Sequence, residues 1–215
     1  MAKTEQIKLA VLETAEWFER DRIMTVRPLF QQLMQVSAWD SNEFHYATFT
    51  GPESFQETLK DLVSKDGVEY VYICTHGKKD EIQFPFNRNK KKINVATFDC
   101  FDKSTLRGVF LGGCELAGLA EDIAVRWQQK KLQGETKGNY SPWFAGYTKE
   151  VKWIHGAWLD MMFLGYMFSS GRSRSDVTDN LLEFYEDGFG ALMETFGFSI
   201  FMNGKKIDIY EDGEA

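Results

Sequence analysis

Two stretches decide the fold: Tyr70-Val71-Tyr72-Ile73-Cys74-Thr75-His76-Gly77 and, further on, Gly108-Val109-Phe110-Leu111-Gly112-Gly113-Cys114. Each is a short apolar run of the kind that forms a strand buried on both faces of a parallel sheet. Each also delivers one reactive side chain at its C-terminal end, His76 after the first and Cys114 after the second. Ligand sites in open α/β sheets gather at the carboxyl ends of the strands. A His and a Cys presented there from two strands are the parts of a cysteine-nucleophile site.

Working outward, strands and helices alternate. Ile7 to Leu12 reads as a first strand, and Thr25 to Val36 as a helix with Pro28 in its first turn. Phe44 to Phe49 reads as a second strand, and Gly51-Pro52-Glu53-Ser54 opens a helix with Phe55, Leu59 and Leu62 on one face. The βαβαβ order predicts a parallel sheet with helices packed on its faces. Lys78 to Ser104 is charged and broken, which suggests a β-hairpin excursion beside the site. After Cys114 come a helix from about Leu116 to Lys131, a polar linker over 134–141, and a strand at Pro142 to Tyr147. Helices follow over Trp153 to Ser169 and Asp176 to Thr195. A closing hairpin turns at Asn203-Gly204. No internal repeat or domain boundary is visible, so the 215 residues read as a single α/β domain, with a C-terminal elaboration over about 172–215.

Composition excludes several classes. Apolar content is 43% and aromatics reach 15%, enough for a sizeable core. The net charge of -7 argues against a nucleic-acid surface; Arg88 with Lys90-Lys91-Lys92, and Lys130-Lys131, read as solvated loops or helix ends. No signal core or membrane-length apolar run is present, so the expectation is a cytoplasmic protein with no membrane partner. Three cysteines are too few and too unevenly spaced for a disulfide framework, and their thiols should be free. Cys74, His76 and Cys100 match no standard zinc spacing. After Leu12 the chain reads Glu-Thr-Ala-Glu-Trp-Phe, acidic and without glycine, which counts against a flavodoxin-like or nucleotide-binding relative.

The residues around the pair carry more chemistry. Gly77 follows the His and lets its N–H approach a substrate oxygen; with the N–H of Cys114 it makes a candidate oxyanion hole. Gly112 and Gly113 permit a tight turn out of the strand, and the helix behind Cys114 presents a positive end toward a sulfur anion. The plainer alternative is a buried His at a strand end and a small core Cys.

"YVYICTHG" followed by "LRGVFLGGCELAG" resembles the caspase-like cysteine peptidases, in particular the bacterial branch called CHAT domains. In that superfamily a strand ends in His-Gly and the next parallel strand ends in the catalytic Cys. The later "WFAGYTKEVKWIHGAWLDMMFLGYMFSSG" is similar to the CHAT pattern of a strand ending in Gly-aromatic, then a helix with aromatic and small residues, then Gly. The resemblance implies a caspase-like sheet and endopeptidase activity, with His76 as general base and Cys114 as nucleophile. It also implies Gly77 and Cys114 as oxyanion donors, and no metal or organic cofactor. Cys114 follows Gly112-Gly113 where caspases proper have Gln-Ala, and no acidic-substrate pocket or processing linker is marked. Control would fall to a separate regulatory protein. Tyr147, Thr148 and Lys149 are the candidate wall for the side chain before the cut bond, and Glu13 and Glu16 lie at the site's edge by topology. Trp153, Trp158, Phe163, Tyr166 and Phe168 read as core or as a pocket wall. A catalytically silent protein-binding module is the alternative function.

Overall fold

Seven strands form one sheet, in spatial order β2 (Glu43–Phe49), β1 (Lys8–Thr14), β3 (Tyr70–Cys74), β6 (Gly108–Gly112), β7 (Trp143–Tyr147), β8 (Phe198–Met202) and β9 (Lys205–Lys206). The computed structural model describes residues 8–15, 25–36, 43–65, 67–84, 92–102, 105–136, 141–168 and 173–208. The parallel part comprises β1, β2, β3, β6 and β7. β8 adds antiparallel to β7, and β9 adds antiparallel to β8. A separate two-stranded hairpin, β4 (His76–Lys78) and β5 (Glu81–Gln83), projects from the end of β3. Glu16, Arg88, Lys90, Lys91 and the residues after Asp208 lie outside the described residues.

The two faces are sorted by the period of two along each strand. On β3, Tyr70, Tyr72 and Cys74 face one core, while Val71 and Ile73 face the other. The first core is covered by α1 (Arg27–Val36), α4 (Trp153–Met167), α5 (Arg174–Phe184) and α6 (Gly190–Phe196). The second is covered by α2 (Pro52–Ser64), α3 (Ala117–Leu132) and the 3-10 helix Val95–Phe101. With both faces covered, β3 and β7 are buried along their whole length, which is why they read as unbroken apolar runs.

Three local outcomes differ from the sequence reading. β3 leaves the main sheet at Cys74, and His76 starts the β4–β5 hairpin. The helix expected over Asp176 to Thr195 is α5 and α6 joined by a π turn at Tyr185–Phe189, where Gly188 adopts a left-handed φ of 101°. The first-turn N–H of Gly118 in α3 donates to Asp80 Oδ1 at 2.8 Å, so the positive end of that helix is answered by a carboxylate. The Asn203-Gly204 hairpin is as the sequence suggests, with both residues left-handed between β8 and β9.

Candidate active site

Three chain segments leave the C-terminal ends of β3, β6 and β7 and are tied to one another. The β4–β5 hairpin turns at Lys79 and Asp80, whose φ values of 50° and 62° fit a two-residue type I′ turn. Its tip is clamped onto the turn after Cys114. Asp80 N donates to Glu115 O at 2.8 Å, and Lys79 N donates to Glu115 Oε2 at 3.1 Å. Glu115 is itself left-handed, with φ 51°, and its N–H donates to Lys149 O at 3.2 Å in the loop after β7. The Thr75 N–H donates to Gly112 O at 3.3 Å, which continues the β3–β6 pairing past the last ladder pair.

This clamp brings His76 and Cys114 to one cavity of about 230 Å³. Both are half-buried. Thr75, Gly112, Gly113, Val151 and Trp153 share the lining with them. The Cys114 sulfur is fixed by the backbone of Val151: its thiol donates to Val151 O at 3.5 Å, and Val151 N donates to Sγ at 3.2 Å.

The glycines are there for close approach. A Cβ on Gly77 would lie 2.0 Å from Cys114 O, and one on Gly113 would lie 2.6 Å from Thr75 O and 3.4 Å from Gly77 N. Lys78↔Glu81 closes the hairpin turn, so the alternation of an antiparallel ladder makes Gly77↔Ile82 the pair without ladder bonds. The Gly77 N–H therefore points away from β5. Gly112 serves a different end from the turn flexibility expected of it: a Cβ there would strike the Tyr72 hydroxyl at 2.3 Å. Its absence lets Tyr72 reach across β6 toward α4.

What Tyr72 reaches is Asp160, a carboxylate that the sequence reading passed over. Tyr72 OH donates to Asp160 Oδ2 at 2.6 Å, and Tyr147 OH donates to Oδ1. Asp160 is 2% exposed and lines the same cavity as His76 and Cys114. Burial pushes its carboxyl up to about 7, against which the two tyrosine hydroxyls pull it down. Its signal in the sequence is a single acid among Trp158, Leu159, Met161, Met162 and Phe163, close after the small residues Gly156 and Ala157.

The other expected residues are dispersed. Tyr147 lines the cavity, but Thr148 and Lys149 turn to the end of α6, where Thr148 Oγ1 donates to Gly197 O at 3.1 Å and Lys149 Nζ to Glu194 O at 2.9 Å. Thr148 lines a different cavity, beside Tyr185 and Met193. Glu13 is fully buried and does not line the His76–Cys114 cavity. It accepts from Thr25 Oγ1 at 2.6 Å, Tyr46 OH at 2.6 Å and Val26 N at 2.9 Å, so it ties β1 to β2 and the start of α1. Of the aromatic stripe, Phe163 is core, Trp153 is cavity wall and Trp158 is exposed. Among the described residues, no three His, Cys, Asp or Glu side chains gather in a way that could hold a metal ion. No described helix is long and apolar enough to cross a membrane.

The buried carboxylates set a pH dependence of stability. Burial raises both Glu13 and Asp160, so the folded chain holds their protons to higher pH than the unfolded chain does. The contribution of these two groups is full below the unfolded carboxylate range and is lost as pH rises toward the folded value of about 7 for Asp160. At about 1.4 kcal/mol per unit the loss is a few kcal/mol. Thermal unfolding should give a higher Tm at pH 5.5 than at pH 8, and Asp160→Asn should flatten that difference.

Searched against family models and against curated protein sequences, the chain matches neither.

Proposed function

We propose that this chain is a cysteine endopeptidase of the caspase-like kind, with Cys114 as nucleophile and His76 as general base. One observation carries the reading: His76 and Cys114, from the ends of neighbouring parallel strands, line one cavity. The Cys114 thiol loses its proton to the imidazole, and the thiolate attacks the carbonyl carbon of a peptide bond. The oxyanion that forms is held by the N–H groups of Gly77 and Cys114. His76 passes the proton to the departing amine, which leaves a thioester on Cys114. Water, deprotonated by the same imidazole, cleaves the thioester and restores the thiol. The partner is a protein or peptide substrate, with a separate protein as regulator.

In the resting arrangement both hydrogen bonds of the sulfur go to Val151, so the imidazole and the thiol close up only when substrate enters. That same feature favours the second reading, a caspase-like module that binds proteins without cutting them.

Alkylation separates the two. Cys74 is buried, and burial, reinforced by the charges of Glu13 and Asp160, pushes its thiol well up. Cys100 is half-buried with its thiol donating to Thr97 O at 3.5 Å. Treated with limiting iodoacetamide at neutral pH and mapped by peptide mass, Cys114 should be modified first and Cys74 last. Equal, slow labelling at all three would leave the protein-binding module.

A further inference from the structure

Among the residues lining the His76–Cys114 cavity, Asp160 alone carries a carboxylate. The cavity runs from half-buried His76 and Cys114 to fully buried Tyr72, Tyr147 and Asp160. We propose that Asp160 closes the pocket for the side chain preceding the cut bond, and that this pocket takes a lysine or arginine. The inference rests on the reading of Cys114 as nucleophile and adds the substrate class.

Five observations lead there. Among the described residues no lysine or arginine pairs with Asp160. A buried carboxylate is ordinarily paired with a cation, and here a substrate can bring it. Each Asp160 oxygen accepts one tyrosine hydroxyl, which leaves about half of the carboxylate's lone-pair sites for an incoming N–H. The two hydroxyls also fix the carboxylate's direction, one from β3 and one from β7. Val151, Trp153 and Ala157 line the same cavity and offer apolar wall to the methylene stem of a long basic side chain. At about 230 Å³ the cavity is smaller than a drug-sized ligand pocket and matches a single side chain.

The titratable groups facing Asp160 are Tyr72 and Cys74 from β3 and Tyr147 from β7, with His76 and Cys114 at the mouth. None of these is a fixed cation, so among the described residues no cation competes for the carboxylate.

The test uses two peptidyl chloromethyl ketones that differ only in their last residue, lysine or norleucine, which share a stem and differ in the charge. Sulfur displaces chloride from the methylene carbon, forming one S–C bond and releasing chloride ion. The lysine probe should label Cys114 at least about 10-fold faster, and in Asp160→Asn the ratio should fall to near one. A second measurement on the unaltered protein covers a variant that does not fold: n-butylamine should slow iodoacetamide labelling of Cys114, and n-butanol at the same concentration should not. Equal labelling of Cys114 by both ketones overturns the cation pocket and leaves the nucleophile standing. Failure of every reagent to label Cys114 overturns the nucleophile, and this inference with it.

Discussion

His76→Ala should acylate at Cys114 at least about 100-fold more slowly than the unaltered chain when given an activated peptide ester, as expected for removal of a general base. The imidazole shares the cavity with the sulfur. The sulfur's own hydrogen bonds, to Val151 N and Val151 O, fix its position and supply no proton acceptor stronger than an amide carbonyl. The ring is half-buried and sits at the root of a hairpin whose hold on the Cys114 turn is made by Asp80, Lys79 and Glu115. Truncating it therefore leaves the clamp in place. Stopped-flow acylation checks the rate, and an unchanged Tm separates lost chemistry from lost structure.

Gly77→Ala should cost both structure and reactivity. The added methyl would sit 2.0 Å from Cys114 O and 2.5 Å from Leu116 Cγ. The first neighbour is backbone in a turn whose next residue, Glu115, is already left-handed, so it cannot swing aside like a side chain. The hairpin must lift instead, and lifting breaks the bonds from Asp80 N and Lys79 N to Glu115 and from Gly118 N to Asp80. Overpacking of this kind costs roughly 1–3 kcal/mol. It also moves His76 and the Gly77 N–H away from Cys114, and even a shift of about 1 Å can cost 100-fold in rate. Gly51→Ala is the control: a Cβ there meets nothing within 4 Å. Thermal melts and the acylation assay on both variants should show a large loss for Gly77→Ala and little change for Gly51→Ala.

What the sequence made legible was periodic or local. The runs before His76 and Cys114 are apolar on both faces because both faces of β3 and β6 are covered, and a single sequence displays that directly. Asn203-Gly204 reads as a hairpin because both residues tolerate the left-handed backbone they adopt. The misplaced features depended on distant partners. Glu13 looked like a loop carboxylate at the site's rim, but Thr25, Val26 and Tyr46 enclose it, and nothing near Glu13 in the chain announces them. Thr148 and Lys149 follow Tyr147 directly, yet the pairing of β7 with β8 draws them toward Gly197 and Glu194. Asp160 was visible as an acid interrupting an apolar helix. Its meaning comes from Tyr72, 88 residues away, and from the missing side chain at Gly112 that lets Tyr72 pass.

In the proposed mechanism Cys114 forms a covalent acyl intermediate with help from His76. Mixing the chain with an excess of a peptide p-nitrophenyl ester and quenching in acid tests it most directly. A burst of p-nitrophenol close to one equivalent per chain is expected, with the acyl group mapped to Cys114. The burst should be absent in Cys114→Ala and slowed in His76→Ala. A burst no larger than that of Cys114→Ala, or an acyl group found on Cys74 or Cys100, would contradict it.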